Sequence, residues 1–204
     1  MTTTEHLVTT LESVGILPVA WRGAFLAVPR HRFLPTQIWT DDDDGDPQPI
    51  DRDTDPDRWL ASAYSNVAIV TQFDDGATVW PDVGVHRTSS ASEPGMVATM
   101  LDHLEVQDGH RILEIGTGTG YNAPLLAHRL TASRITTVEI DPVIAGLAKT
   151  AWTSQAIPLP QFSVREHSDG GHALPTTGLF PLSPHTSASC RMNGSARPPP
   201  VELS

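Results

Sequence analysis

The chain has 204 residues, a formal net charge of −11 and 39% hydrophobic residues. That length suits one domain with a full core, and the acidic balance argues against nucleic acid, whose phosphates need Lys and Arg to displace counterions. A single cysteine, Cys190, rules out an internal disulfide or a cysteine zinc cluster. No apolar run spans a membrane and no basic-apolar leader opens the chain, so a cytoplasmic protein without membrane contact is expected.

Leu7, Val8, Leu11 and Val14 fall on one face of a helix that Gly15 ends. A second short helix covers Trp21 to Val28 and stops at Pro29. In Val28-Pro-Arg-His-Arg-Phe-Leu-Pro35 two prolines bracket a basic, aromatic segment, which predicts a rigid extended stretch. His31, alone between two arginines, reads as structural. Nine aspartates crowd positions 41–57 among several prolines, and residues 40–58 are expected to be a solvated loop. The run lacks the alternating donors and closing glutamate of a calcium loop, so no metal is expected there. Trp59–Tyr64 reads as a short helix and Asn66–Phe73 as a strand that turns at Asp74-Asp-Gly76.

From His86 the chain is rich in hydroxyls, Thr88-Ser-Ser-Ala-Ser92, before Glu93-Pro94 opens a helix. Ser92 suits its N-cap, with Met96, Met100, Leu101 and Leu104 toward the core. Hydroxyls and helix N–H groups would converge there on a carboxylate.

The chain is organised around Arg111-Ile-Leu-Glu-Ile-Gly-Thr-Gly-Thr-Gly-Tyr121. Ile112, Leu113 and Ile115 read as a buried parallel strand. Gly116, Gly118 and Gly120 form a turn in which backbone can approach a ligand closely, and helical spacing resumes at Asn122. A dinucleotide fingerprint wants glycine or alanine where Tyr121 stands, which disfavours an NAD-dependent oxidoreductase. The next strand, Arg134 to Asp141, ends in Glu139-Ile140-Asp141. A carboxylate at that tip can accept hydrogen bonds from both hydroxyls of a ribose. Pro142 starts a helix through Val143, Leu147, Ala148 and Ala151, which returns the chain to the sheet. Gln161–Arg165 is a third strand, followed by Asp169-Gly170, either a plain turn or an adenine contact. From Thr176 onward the composition breaks both helical and strand periods.

Glu114-Ile-Gly-Thr-Gly-Thr-Gly120 resembles the cofactor loop of S-adenosyl-L-methionine-dependent methyltransferases. Ser92-Glu-Pro-Gly-Met96, Ile112–Asn122, Val138–Asp141 and Val28–Pro35 together resemble the protein-L-isoaspartate O-methyltransferases over residues 5–175. Thr88–Ser92 and a tryptophan-rich first half look more like a subgroup that accompanies ATP-grasp peptide maturases. One departure is Ser90-Ala-Ser92, where the family carries Thr-Ile-Ser.

The resemblance implies an α/β fold, a Rossmann-like methyltransferase sheet with an N-terminal helical and hairpin extension. It would divide as 1–80 for the extension, 81–175 for the cofactor core and 176–204 for an irregular tail. Glu114, Gly116, Thr117, Gly118, Gly120, Tyr121, Glu139, Ile140, Asp169 and Gly170 would hold S-adenosyl-L-methionine. Ser92 and Ser90 would orient the carboxylate of an aspartate or isoaspartate in a peptide or protein. The methyl ester formed could collapse to a succinimide. The alternative is a catalytically dead homologue that binds a peptide or an enzyme.

The family's later strands are not legible after Thr176. Read one base out of frame, Ser189–Asn193 can encode Val-Pro-x-Glu-Trp and Pro200–Ser204 Gly-Gly-x-Val, at the family's spacing. A frameshifted, truncated C-terminus is therefore expected.

Overall fold

The computed structural model describes residues 3–155, 161–164 and 178–182. Two helices open it, α1 (Thr4–Ser13) and α2 (Val19–Ala27). The Thr3 hydroxyl caps α1 at His6 N, and Leu7, Val8 and Leu11 face inward. Val14 lies past the last turn and is exposed. Residues Arg30–Phe33 form a 3-10 turn rather than the expected extended stretch. Pro29 supplies the φ that starts the turn, and Phe33 is buried beneath it. His31 there hydrogen-bonds the Tyr64 hydroxyl, and burial holds its pKa below the usual imidazole value.

The first sheet is antiparallel, in the order β2-β1-β3-β4. Its strands are β1 (Gln37–Asp41), β2 (Pro47–Asp51), β3 (Ile69–Phe73) and β4 (Arg87–Ala91). The expected loop at 40–58 is thus largely a hairpin followed by α3 (Pro56–Ala63). Asp42 closes its tip, accepting from Asp44 N at 3.1 Å, Asp46 N at 2.9 Å and Gln48 Nε2 at 2.8 Å. Asp residues make such side-chain-to-backbone turns readily, so the aspartate run is turn chemistry. Because β3 pairs with β4, this sheet crosses position 80.

Helix α4 (Pro94–His103) leads to the second sheet, in the order β7-β6-β5-β8. Strands β5 (Arg111–Ile115), β6 (Ile135–Glu139) and β7 (Gln161–Val164) are parallel, while β8 (Gly178–Leu182) runs antiparallel to β5. Helices α5 (Asn122–Arg129) and α6 (Pro142–Ser154) link the parallel strands. Within the segment expected to be irregular from Thr176, five residues therefore pair with the central strand. Residues 183–204 lie outside the described residues.

One apolar core runs from α1 and α2 through α4 to β5, α5 and α6. Ile112 and Leu125 are fully buried in it, whereas Ile115, expected inside, is 46% exposed. The face of β5 carrying Ile112 and Glu114 packs inward, and Ile115 sits on the other. In α6 the inward stripe is Ala145, Ala148 and Trp152, with Val143 and Leu147 outside. Trp152 decides that rotation, because its indole N–H donates to Gly120 O at 2.7 Å.

Candidate functional site

The glycine turn sits at the C-terminal rim of the parallel strands. Its three glycines have φ of 83° (Gly116), 54° (Gly118) and 84° (Gly120), left-handed values that strain any residue with a Cβ. Gly116 N donates to Val138 O at 2.9 Å, which ties the turn to the neighbouring strand. A Cβ on Gly118 would lie 3.6 Å from Ser90 O, and one on Gly120 would press on Ala148 and Trp152 at 3.0–3.1 Å. The middle glycine thus faces β4, and the last one lets α6 close on the turn.

Glu139 ends β6 directly beside this turn and is 6% exposed. One carboxylate oxygen accepts from Gly118 N at 2.8 Å, the other from Ile140 N at 2.8 Å and Asp141 N at 3.1 Å. Asp141 caps α6 through Val143 N at 2.7 Å. Its other oxygen accepts from Gln72 Nε2 at 2.9 Å, and Gln72 in turn accepts from Thr88 Oγ1 at 2.9 Å. Gln72 thereby fastens the first sheet to the rim of the second. Nothing in a mid-strand glutamine announces that role.

Glu114 lies beneath the turn rather than on it, fully buried. The Thr137 hydroxyl donates to its Oε2 at 2.6 Å, and Thr137 is itself 2.6 Å from the Thr117 hydroxyl. Burial pushes the Glu114 pKa up to about 8; the Thr137 hydrogen bond opposes this and the Glu139 charge adds to it. Asn122 also pulls the value down, yet no hydrogen bond of normal geometry reaches Oε1. A carboxyl so placed favours its proton. Thr137 links it to Thr117 on the turn. Tyr121 is likewise a core residue, its ring packed on Phe25 and Phe33 at centroid distances of 6.4 and 5.6 Å. Burial pushes its phenol pKa up.

Ser90 and Ser92 line one narrow crevice with Thr117, Gly118 and Asn122, of about 10 Å³. That is room for about one water. Ser90 belongs to β4, and Ser92 follows it. Ser92 is not the N-cap of α4, which is Glu93. The cap is supplied instead by Asn66, whose Oδ1 accepts from Gly95 N at 2.7 Å while its Nδ2 donates to Glu93 Oε1 at 2.8 Å. Asp169 and Gly170 lie outside the described residues. The structure brings Ser90, Ser92, Thr117, Gly118, Glu139 and Ile140 to one rim. Among the described residues no group of three or more His, Cys, Asp or Glu could hold a metal ion, and no helix is long and apolar enough to cross a membrane.

A parallel strand, a glycine turn, a helix and an acid at the next strand's tip define the Rossmann-like nucleoside-binding class of α/β proteins. The family profile described as protein-L-isoaspartate(D-aspartate) O-methyltransferase (PCMT) matches residues 2–177. A protein-L-isoaspartate O-methyltransferase of Photorhabdus laumondii is 30% identical over 177 residues, covering 86% of this chain and 65% of the relative. One of Anaeromyxobacter dehalogenans is 36% identical over 106 residues, covering 52% and 49%. A solved structure described as a beta-aspartate methyltransferase (PCMT) from Plasmodium falciparum in complex with S-adenosyl-L-homocysteine superposes with a TM-score of 0.53. At 15% identity, covering 81% of this chain and 63% of that one, it shows the shared fold. The chain belongs to the protein-L-isoaspartate(D-aspartate) O-methyltransferase family. It spans about half the length of the curated relatives it matches.

Proposed function

We propose that the chain binds S-adenosyl-L-methionine and transfers its methyl group to an aspartate or isoaspartate carboxylate of a peptide or protein. The observation that carries this is the Glu139 carboxylate at the tip of β6, 2.8 Å from the Gly118 N–H. The residues present fit the cofactor in kind. Glu139 offers acceptors for two ribose hydroxyls, and the turn supplies backbone close by without a phosphate-binding lysine. Ribose hydroxyls would compete with the Gly118 N–H for the same oxygen, so the turn would move as the ligand enters.

The cofactor would supply an electrophilic methyl: a C–O bond forms on the substrate as the C–S bond breaks, and the sulfonium leaves as a neutral thioether. A carboxylate is already ionised at neutral pH, so the chain needs no general base. Its residues align and exclude water. Ser90 and Ser92 would donate to the carboxylate once movement of the turn has widened the crevice, which now has room for about one water. Glu114, sealed under the turn, would hold Thr137 and Thr117 in place and take no part in the transfer. Membership of the family and the shared fold support the reading.

We further infer that the substrate is a dedicated peptide also worked on by an ATP-grasp ligase, on the strength of the hydroxyl-rich Thr88–Ser92 and the tryptophan-rich first half. We also infer that the stretch from about Thr176 onward is read out of frame. A coding sequence in which no single-base insertion or deletion restores the family motifs contradicts that. Calorimetric titration with S-adenosyl-L-homocysteine, followed by a mass-shift assay on aspartyl and isoaspartyl peptides, tests the activity. Binding together with a gain of one methyl ester is expected. Binding without ester formation would reduce the chain to a recognition module, and no binding would refute the cofactor site.

A further inference from the structure

Arg30 is the buried cation that the proposed chemistry leaves unused. It is 1% exposed and its guanidinium donates only to backbone. Nη1 reaches Ala63 O and Ser65 O, both at 3.3 Å. Nη2 reaches Val67 O at 3.0 Å, Ala91 O at 3.2 Å and Ser92 O at 3.0 Å. Nε has no partner. Burial lowers its pKa to about 10, which leaves the group charged at neutral pH. The Tyr121 phenol and the Glu93 carboxylate, the latter already engaged by Asn66, act on it only through their fields. A buried guanidinium without a carboxylate is costly, and here five carbonyl dipoles stand in for the missing anion.

Two of those five carbonyls belong to Ala91, the last residue of the strand whose Ser90 O faces Gly118, and to Ser92, which follows it. The other three belong to Ala63, the last residue of α3, and to Ser65 and Val67 in the segment after it. The planar fork therefore fixes the serine segment to the body at one register, where a lysine, with a point charge and no fork, could not. Its charge lies behind the Ser92 carbonyl, one residue removed from the crevice that Ser90, Ala91 and Ser92 line.

We propose that Arg30 is a positioning residue for the substrate: it holds Ser90–Ser92 against the glycine turn, and its charge makes the crevice select a carboxylate over a neutral amide. This rests on the carboxylate-site reading above. In the wild-type chain with S-adenosyl-L-homocysteine present, calorimetry should show an isoaspartyl peptide binding at least about ten-fold more tightly than the same peptide with its free α-carboxylate capped as the α-methylamide. Equal affinity would overturn the inference without recourse to any variant, and no binding of either peptide would sink the carboxylate site together with it.

Arg30→Lys should weaken the isoaspartyl peptide about ten-fold or more while S-adenosyl-L-homocysteine affinity stays within about two-fold. In a Ser92→Ala background the same change should cost little more, since Arg30 acts through that segment. A merely structural role would lower both ligands' stoichiometry together and add to Ser92→Ala. Either result overturns the inference, as does an unchanged peptide affinity in Arg30→Lys, and in each case normal cofactor-product binding leaves the nucleoside site standing.

Discussion

Replacing Glu114 by glutamine tests the proton-favouring pocket under the turn. The carboxyl has an ordinary value of 4.5 in the unfolded chain and about 8 in the folded one. Below the lower value both states carry the proton, and Glu114 adds no pH dependence. Between the two, the folded protein keeps a proton that the unfolded chain has released, so stability falls as pH rises. Above about 8 both are ionised, and the loss is complete. Each unit of that window is worth at most about 1.4 kcal/mol, so the full loss is on the order of a few kcal/mol.

Glutamine cannot titrate, and its amide can still meet the Thr137 hydroxyl. Urea melts of both proteins from pH 5 to 9 should therefore diverge, with Glu114→Gln near wild type at pH 5 and more stable at pH 9. At a slope of roughly 1–3 kcal/mol per molar urea, the midpoints at pH 9 should differ by about 1 M or more. Parallel curves, or a variant weaker by the same amount at every pH, would mean that Glu114 is ionised throughout, and the argument from burial would fail.

Gly120→Ala should destabilise by about 2–4 kcal/mol, from left-handed backbone strain plus overpacking, since its Cβ would meet Ala148 and Trp152 at 3.0–3.1 Å; thermal melts read this directly. Asn66→Ala should cost about 1 kcal/mol through the lost cap on α4, whereas Ser92→Ala should cost far less. Equal losses would restore Ser92 as the cap. Glu139→Gln should weaken S-adenosyl-L-homocysteine roughly ten- to hundred-fold, the worth of charge-assisted hydrogen bonds to the ribose, and should also lower the melting temperature, because its amide nitrogen must face a backbone N–H that now meets a carboxylate oxygen.

The strand–turn–helix at 111–129 and the acid at 139 were legible because each is local. Glycines stand where the backbone is left-handed, and an apolar run marks the strand between them. The hairpin under the aspartate run was not, since its signal is Asp42 bonding its own turn, which composition reads as a loop. For α6 the helix itself was legible, but which face turns inward was not. Val143 and Leu147 lie outside because Trp152 is anchored by Gly120 O, thirty-two residues away. The same holds for Asn66, which caps α4 from twenty-nine residues before Gly95. Ser90 and Ser92 were found by their company of hydroxyls, while Arg30 and Gln72 came to light only through the carbonyls and side chains they join.

The central claim is that the glycine turn and Glu139 together hold a nucleoside, and the backbone amides bonded to that carboxylate report on it. In an ¹⁵N-labelled sample titrated with S-adenosyl-L-homocysteine, the amides of Gly118, Ile140 and Asp141 should shift most as ribose hydroxyls share Glu139. Shifts centred elsewhere, with those three amides unmoved at saturation, would contradict the account.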